Sequence, residues 1–334
     1  MHDQLLKVLT REGVLVKVSI SYWRGCKKLR AEDIGLKADD VSDRLVSLGH
    51  KRLLPKEALS QLALVEGRAH AYIESNTFPF LNGLAHFVPN ARLEEVTRKL
   101  NEFEVEFWKA KADFLQRYAS LRKSAAKEWQ TMAEKLCPHP DTIVAGVEAS
   151  FPLPHQMDKF YGFDQHLFQI SVPEKLGVDL VSLADQQTVI NARQKAAQEA
   201  SSKIRQGVES FVAECVSSLR EQTSELCQQM LKSIETSDTG VHQKTLNRLV
   251  RFIDQFKQMN FANDRPMEEM LERARRELLT RTAEEYRDSA KARQSLVNGL
   301  QQLRQHASEL ARQDATELVQ RFGQVGVRKF NLAA

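Results

Sequence analysis

Positive charge next to an indole is the first chemistry this sequence offers. Trp23 precedes Arg24, Lys27, Lys28 and Arg30, and a second basic group follows at His50, Lys51 and Arg52. Side chains of these types contact phosphate oxygens, and an aromatic face can stack on a base, so an RNA or DNA contact is one reading. A solvated face or a protein-docking patch is the other, and the even mixing of charges along the chain favours it. Arg273, Arg275 and Arg276 form a third basic group. Phe78, Phe80 and Phe87 lie in an uncharged stretch, and Phe160, Tyr161 and Phe163 form a second aromatic set. Aromatics of this kind either dock a partner or fold back as core, and their spacing does not separate the two.

Other chemistries lack their residues. No GxxxxGK[ST] or GxGxxG run is present to cradle phosphates. The nine histidines are dispersed. Cys137 and His139, with His155 and His166 further on, come nearest to a ligand set, yet two adjacent ligands do not make a metal site. A polar linker around helix-breaking prolines is the simpler account of them. No GxSxG elbow supplies a serine nucleophile. Cys26 sits beside Lys27 and Lys28, whose charge would favour a thiolate, although an incidental thiol on a solvated turn explains it as well. Cys215 and Cys227 fall about 18 Å apart on one helix, too far for an intrahelical disulfide, and reduced thiols are expected. The expectation is a protein without catalytic, cofactor or metal-binding residues.

Composition agrees with an interaction protein. The 334 residues are 42% hydrophobic and 28% charged, with 14 Gly and 9 Pro, a balance that favours helix over tight-turned β structure. Formal net charge is +4 with a pI near 8.8, milder than a dedicated nucleic-acid binder usually shows. The N-terminus carries charges at Asp3, Lys7, Arg11 and Glu12, without the uninterrupted apolar run of a signal peptide. The longest uncharged stretch, Ser75 to Ala91, is broken by Pro79, Gly83 and Pro89 and too short to span a bilayer. A cytoplasmic location follows by default.

The elements that must position these groups are mostly helices. Met1 to Leu9 reads as a short helix, and Val14 to Tyr22 alternates as the best strand in the chain. Asp39 or Ser42 caps a short helix, and Pro55 opens another that runs to about Glu74. Asn76 to Pro89 reads as a loop. Asn90 caps a helix that lasts to about Leu136, with Val96, Leu100, Phe103, Phe107, Phe114 and Tyr118 on one stripe. Asp141 to Ser150 is a short helix, and His166 to Val172 alternates as a second strand able to pair with the first. From Ser182 a stripe runs through Ala196, Ala200, Ile204, Val208, Phe211, Cys215, Leu219, Leu226, Met230 and Ile234, giving a helix about 75 Å long. Ser237 to Gly240 is a turn, and the returning arm is interrupted at Asn263-Asp264-Arg265-Pro266. The fold class is mainly α. A long antiparallel, coiled-coil-like helical hairpin forms 176–334, and a smaller helical half with a two-stranded β ribbon forms 1–175. The apolar stripes can close within one chain or across a homo-oligomer.

The run Trp23-Arg24-Gly25-Cys26-Lys27-Lys28-Leu29-Arg30-Ala31-Glu32-Asp33 resembles the opening of an uncharacterised bacterial and phage family. Ser47 to Arg52, Phe80-Leu81-Asn82-Gly83 through Val88-Pro89, and Glu102-Phe103 through Tyr118 before Trp129 extend the resemblance over about residues 14 to 135. It implies a product of phages, plasmids or integrative elements, encoded beside a MoxR- or CobS-like AAA+ ATPase and a CobT-like protein with a von Willebrand factor A (VWA) domain. The resemblance carries no catalytic residues. It makes this chain the third, non-catalytic member of such an assembly, an adaptor or scaffold with a role in element maintenance or anti-phage defence. A nucleic-acid-binding coiled-coil protein is the competing reading. A membrane-active helical effector is a third, disfavoured by the polar outer faces of the helices.

Overall fold

The computed structural model describes residues 2–34, 47–80, 83–136, 140–169, 186–236 and 240–312, with positions 319 and 322. The chain is mainly helical and forms two compact units. One gathers Met1–Val16, Asn76–Glu94 and Leu167–Ala334, and the other Lys17–Ser75 and Glu95–His166. The helix expected at Asp39 or Ser42 lies outside the described residues, as do 170–172 of the second expected strand.

In the first unit, helix α1 (His2–Glu12) leads into strand β1 (Gly13–Ser21), whose opening residues belong here. Strands β4 (Phe78–Phe80) and β5 (Ala85–Pro89) lie beside it, antiparallel, with Leu15 opposite Phe87 and Phe78 opposite Phe87 on the other side. Asn76 to Pro89 is thus a hairpin rather than a loop. Pro79 misled the sequence reading, but β4 is an edge strand, paired on one side only, where a missing N–H breaks no interior ladder. A side chain at Gly13 would collide with the Val88 carbonyl and the Phe87 ring, so β1 and β5 can approach only over a glycine.

Against this sheet lie the C-terminal helices: α5 (Gln186–Thr236), α6 (Gln243–Met259), α7 (Arg265–Leu278), α8 (Ala283–Asp288) and α9 (Ala290–Arg312). The expected break becomes a full reversal. Helix α6 ends at Met259, Asn263 takes φ 60°, and Asp264 caps α7, which runs back antiparallel to α6 through the Arg275–Asp254 and Lys257–Glu272 pairs. A second break follows at Thr282, where a capping box with Glu285 starts α8. The antiparallel partner of α5 is α9: Arg220 Nη1 donates to Leu310 O at 2.7 Å and Ser217 Oγ to Ala311 O at 3.4 Å, while Gly240 lies by Arg293. The hairpin therefore has α5 and α9 as arms, with α6, α7 and α8 inserted between them.

The core of this unit joins Leu5, Leu6, Leu9 and Leu15 to Phe80, Phe87, Phe211, Met230, Ile253, Leu271 and Leu296. Near the start of α5 the buried positions are Ala197 and Ser201 rather than Ala196 and Ala200. In a run of alanine and serine every face is small, and the apolar period loses its phase.

In the second unit, α2 (Ser60–Asn76) and the 47-residue α3 (Asn90–Leu136) pack antiparallel, with Tyr72 against Phe103 and Arg68 bonded to Glu106. Helix α4 (Pro140–Ala149) follows, and β6 (Gly162–Phe168) lies beside β1 in the sheet order. That strand starts four residues before the expected His166. The stripe Val96, Leu100, Phe103, Phe107, Phe114 and Tyr118 is buried as the three-to-four spacing requires. Among the described residues, no helix is long and apolar enough to cross a membrane.

Candidate interaction surface

The residues that resembled a binding motif divide sharply by burial. Trp23 belongs to the core: its ring centroid lies 5.8 Å from Tyr118, 6.0 Å from Phe151 and 6.3 Å from Phe114. Phe78, Phe80 and Phe87 are likewise buried, with Phe80 and Phe87 4.7 and 5.6 Å from Phe211. Each buries a large apolar area against other rings, so none of the four is an exposed partner contact. Of the second aromatic set, Tyr161 and Phe163 are buried beside Phe107, while Phe160 is partly exposed.

The cations remain outside. Gly25, at φ +62°, turns the chain from Trp23 into strand β2 (Cys26–Lys28), which pairs antiparallel with β3 (His50–Arg52). Cys26 lies opposite Arg52, Lys27 opposite Lys51, and Lys28 opposite His50. The ribbon is closed by Leu53 N donating to Gly25 O and Leu29 N to Gly49 O, and anchored by the buried Leu53 and Leu54. The structure thus unites the two basic groups, Arg24 to Arg30 and His50 to Arg52, that the sequence holds some 20 residues apart.

Two of these side chains, Lys51 and Arg24, are held by carboxylates. Lys51 is buried and its Nζ lies 2.5 Å from Asp33 Oδ1, while the other Asp33 oxygen accepts from the Arg30 backbone N–H. Arg24 grips Glu66 with both guanidinium nitrogens, at 2.7 and 2.6 Å, and lies over the Tyr22 ring. Hydrogen bonding from Arg24 holds the Glu66 carboxyl below its ordinary range, and burial with the neighbouring Glu66 raises the Tyr22 phenol. Lys27, Arg30, His50 and Arg52 are exposed.

Sequence reading missed two features. Trp129 of α3, only partly buried, donates its Nε1–H to Arg52 O at 3.1 Å and so stands at the ribbon. Its distance along the chain left no signal. On the outer face of α3, Val105 is 69% exposed and Trp108 37% exposed, one turn apart. That pair was legible, because 105 and 108 fall off the 96-100-103-107 stripe. Cys26 is half-buried on the ribbon, and Cys215 and Cys227 are buried; burial pushes both of those thiols up, Cys227 to about 12. No group of three metal-ligating side chains forms among the described residues.

With this architecture in view, a family model described as a protein of unknown function, DUF3150, matches residues 10–285, and the chain belongs to that family. No curated protein and no solved structure matches it.

Proposed function

We propose that the chain is a non-catalytic adaptor or scaffold, partnering a MoxR-type AAA+ ATPase and a VWA-domain protein in a phage- or mobile-element-encoded system. Its process would be element maintenance or anti-phage defence. The observation that carries the reading is the apolar pair Val105 and Trp108 on the outward face of α3, a helix whose opposite face is already satisfied by core. A tryptophan held at the surface, here by its Nε1 bond to Glu104 at 3.3 Å and by Lys111 over its ring, is a residue type enriched where partners bury most of their energy. The identity of the partners rests on the resemblance of the Trp23 to Asp33 and Ser47 to Arg52 segments.

Co-expression with the neighbouring ATPase and VWA-domain protein, followed by size-exclusion chromatography, tests this. The three chains should elute together, and Trp108→Ala should weaken the association by about 2 kcal/mol, roughly thirtyfold, with Val105→Asp also disrupting it. Elution of the chain alone would reject the proposal.

A further inference from the structure

We infer that the β2–β3 ribbon, together with Trp129, is a binding surface for single-stranded nucleic acid. The inference goes beyond the adaptor role and does not depend on it. Five of the six paired residues are basic: Lys27, Lys28, His50, Lys51 and Arg52. Lys27 faces Lys51 and Lys28 faces His50, and like charges directly opposite each other weaken a ribbon that is already marginal at this length. The buried Leu53, Leu54 and Trp23 offset that cost, and apart from Lys51, which is buried against Asp33, the ribbon's cations are exposed. Asp33 answers Lys51 with one carboxylate oxygen and the Arg30 backbone with the other. Lys27, His50 and Arg52 have no ion pair with a described carboxylate.

Opposed residues share a face of an antiparallel pair, so Arg52, Lys28 and His50 project together with Cys26. Trp129 is fixed at this ribbon by its bond to Arg52 O, and Met132, 41% exposed, follows one turn along α3. Cations that track a backbone beside an accessible indole are the two components of single-strand recognition: phosphates are neutralised and an unpaired base stacks. Three residue pairs span only about 10 Å, short for reading a duplex groove, and a paired base has no free face for Trp129. An acidic polypeptide would satisfy the cations but leave the indole unused.

The test is fluorescence anisotropy of the full chain with a labelled oligothymidylate of about 20 nucleotides across a salt series, with duplex DNA and polyglutamate as comparators. Binding should weaken with salt at a log–log slope of about −2 to −3, as expected for three or four phosphates. The double change Lys28→Gln, Arg52→Gln, on the face shared with His50, should cost at least about tenfold and flatten the slope by about 1.4. Trp129→Ala should cost about tenfold, while Trp129→Phe retains stacking and binding but loses the indole fluorescence quenched by the oligonucleotide. Arg52→Gln alone, at an exposed side chain, should still lower the slope by about 0.7 if the double variant folds poorly. Absent binding, binding indifferent to these changes, a preference for duplex, or equal capture of polyglutamate would each overturn the inference. Failure of Val105 and Trp108 variants to release protein partners would leave this result untouched.

Discussion

Two arginine–carboxylate pairs of nearly equal length stabilise different regions of this molecule in different ways. Arg24 meets Glu66 at 2.6 Å with side chains 53% and 19% exposed, whereas Arg220 meets Asp264 at the same 2.6 Å with 7% and 2% exposed. Water can replace either partner of the first pair. It can replace neither partner of the second, where Arg220 also donates to Leu310 O and Asp264 caps α7 by accepting from the Met267 N–H. The buried pair therefore joins α5, the α6–α7 reversal and α9 at one point. Contact distance says little about energetic weight; the surroundings decide it.

The sharpest way to break the comparison is Arg220→Ala. It leaves Asp264 charged and buried without its partner, and a loss of about 3–5 kcal/mol in unfolding free energy is expected from urea titration followed by helical circular dichroism. The double change Arg220→Met, Asp264→Leu removes both charges and should recover much of that loss, the remainder reflecting the lost cap and the orphaned Leu310 carbonyl. Recovery would show that the pair specifies where α6 reverses more than it stabilises the unit. A double variant as unstable as the single one would instead make the ion pair itself the source of stability.

That reversal also marks the limit of what the sequence discloses. Asp264, Pro266 and Glu268 announce a new helix start, but a start after a kink and a start after a reversal look alike locally. Only the distant partners Arg220 and Leu310 distinguish them. Helix α3 (Asn90–Leu136) was legible at both ends, because an asparagine opens it, a proline follows soon after its last residue in the sequence, and large side chains keep an unambiguous period. The β4–β5 hairpin was hidden by Pro79, which an edge strand tolerates, and the small side chains at the start of α5 hid its buried face. Of the candidate site, charge was legible and burial was not. Trp23 and Lys51 look as available as Lys27 in one dimension, and nothing near Arg52 announces Trp129. The Thr282 capping box, by contrast, stood in plain T-x-x-E form and went unread.

A change at the exposed partner should cost far less. Arg24→Ala leaves Glu66 partly solvated, and after allowance for screening the loss should be about 1 kcal/mol. Its signature is a pH dependence. Because Arg24 lowers the Glu66 carboxyl below its ordinary 4.5, this group contributes stability that is present above that value and is lost as pH falls through the depressed folded value. Urea midpoints measured from pH 6 down to about 3 should therefore fall less steeply in Arg24→Ala than in the parent chain. Parallel curves would mean that Glu66 gains nothing from Arg24.

Arg68 and Glu106 set the lower end of the scale. Their 2.6 Å contact is as short as the other two, yet both side chains are more than 40% exposed, at 45% and 41%. Arg68 also lies over the Phe103 ring, 5.1 Å from its centroid, so its aliphatic stem covers an aromatic edge. Arg68→Met keeps that cover and removes the charge, and should shift stability by less than about 0.5 kcal/mol. Arg68→Ala removes both and should cost more than Arg68→Met, the excess measuring packing rather than charge. If Arg68→Met proved as damaging as Arg24→Ala, exposure would not be the variable that ranks these pairs, and the contrast between Arg24–Glu66 and Arg220–Asp264 would need a different cause.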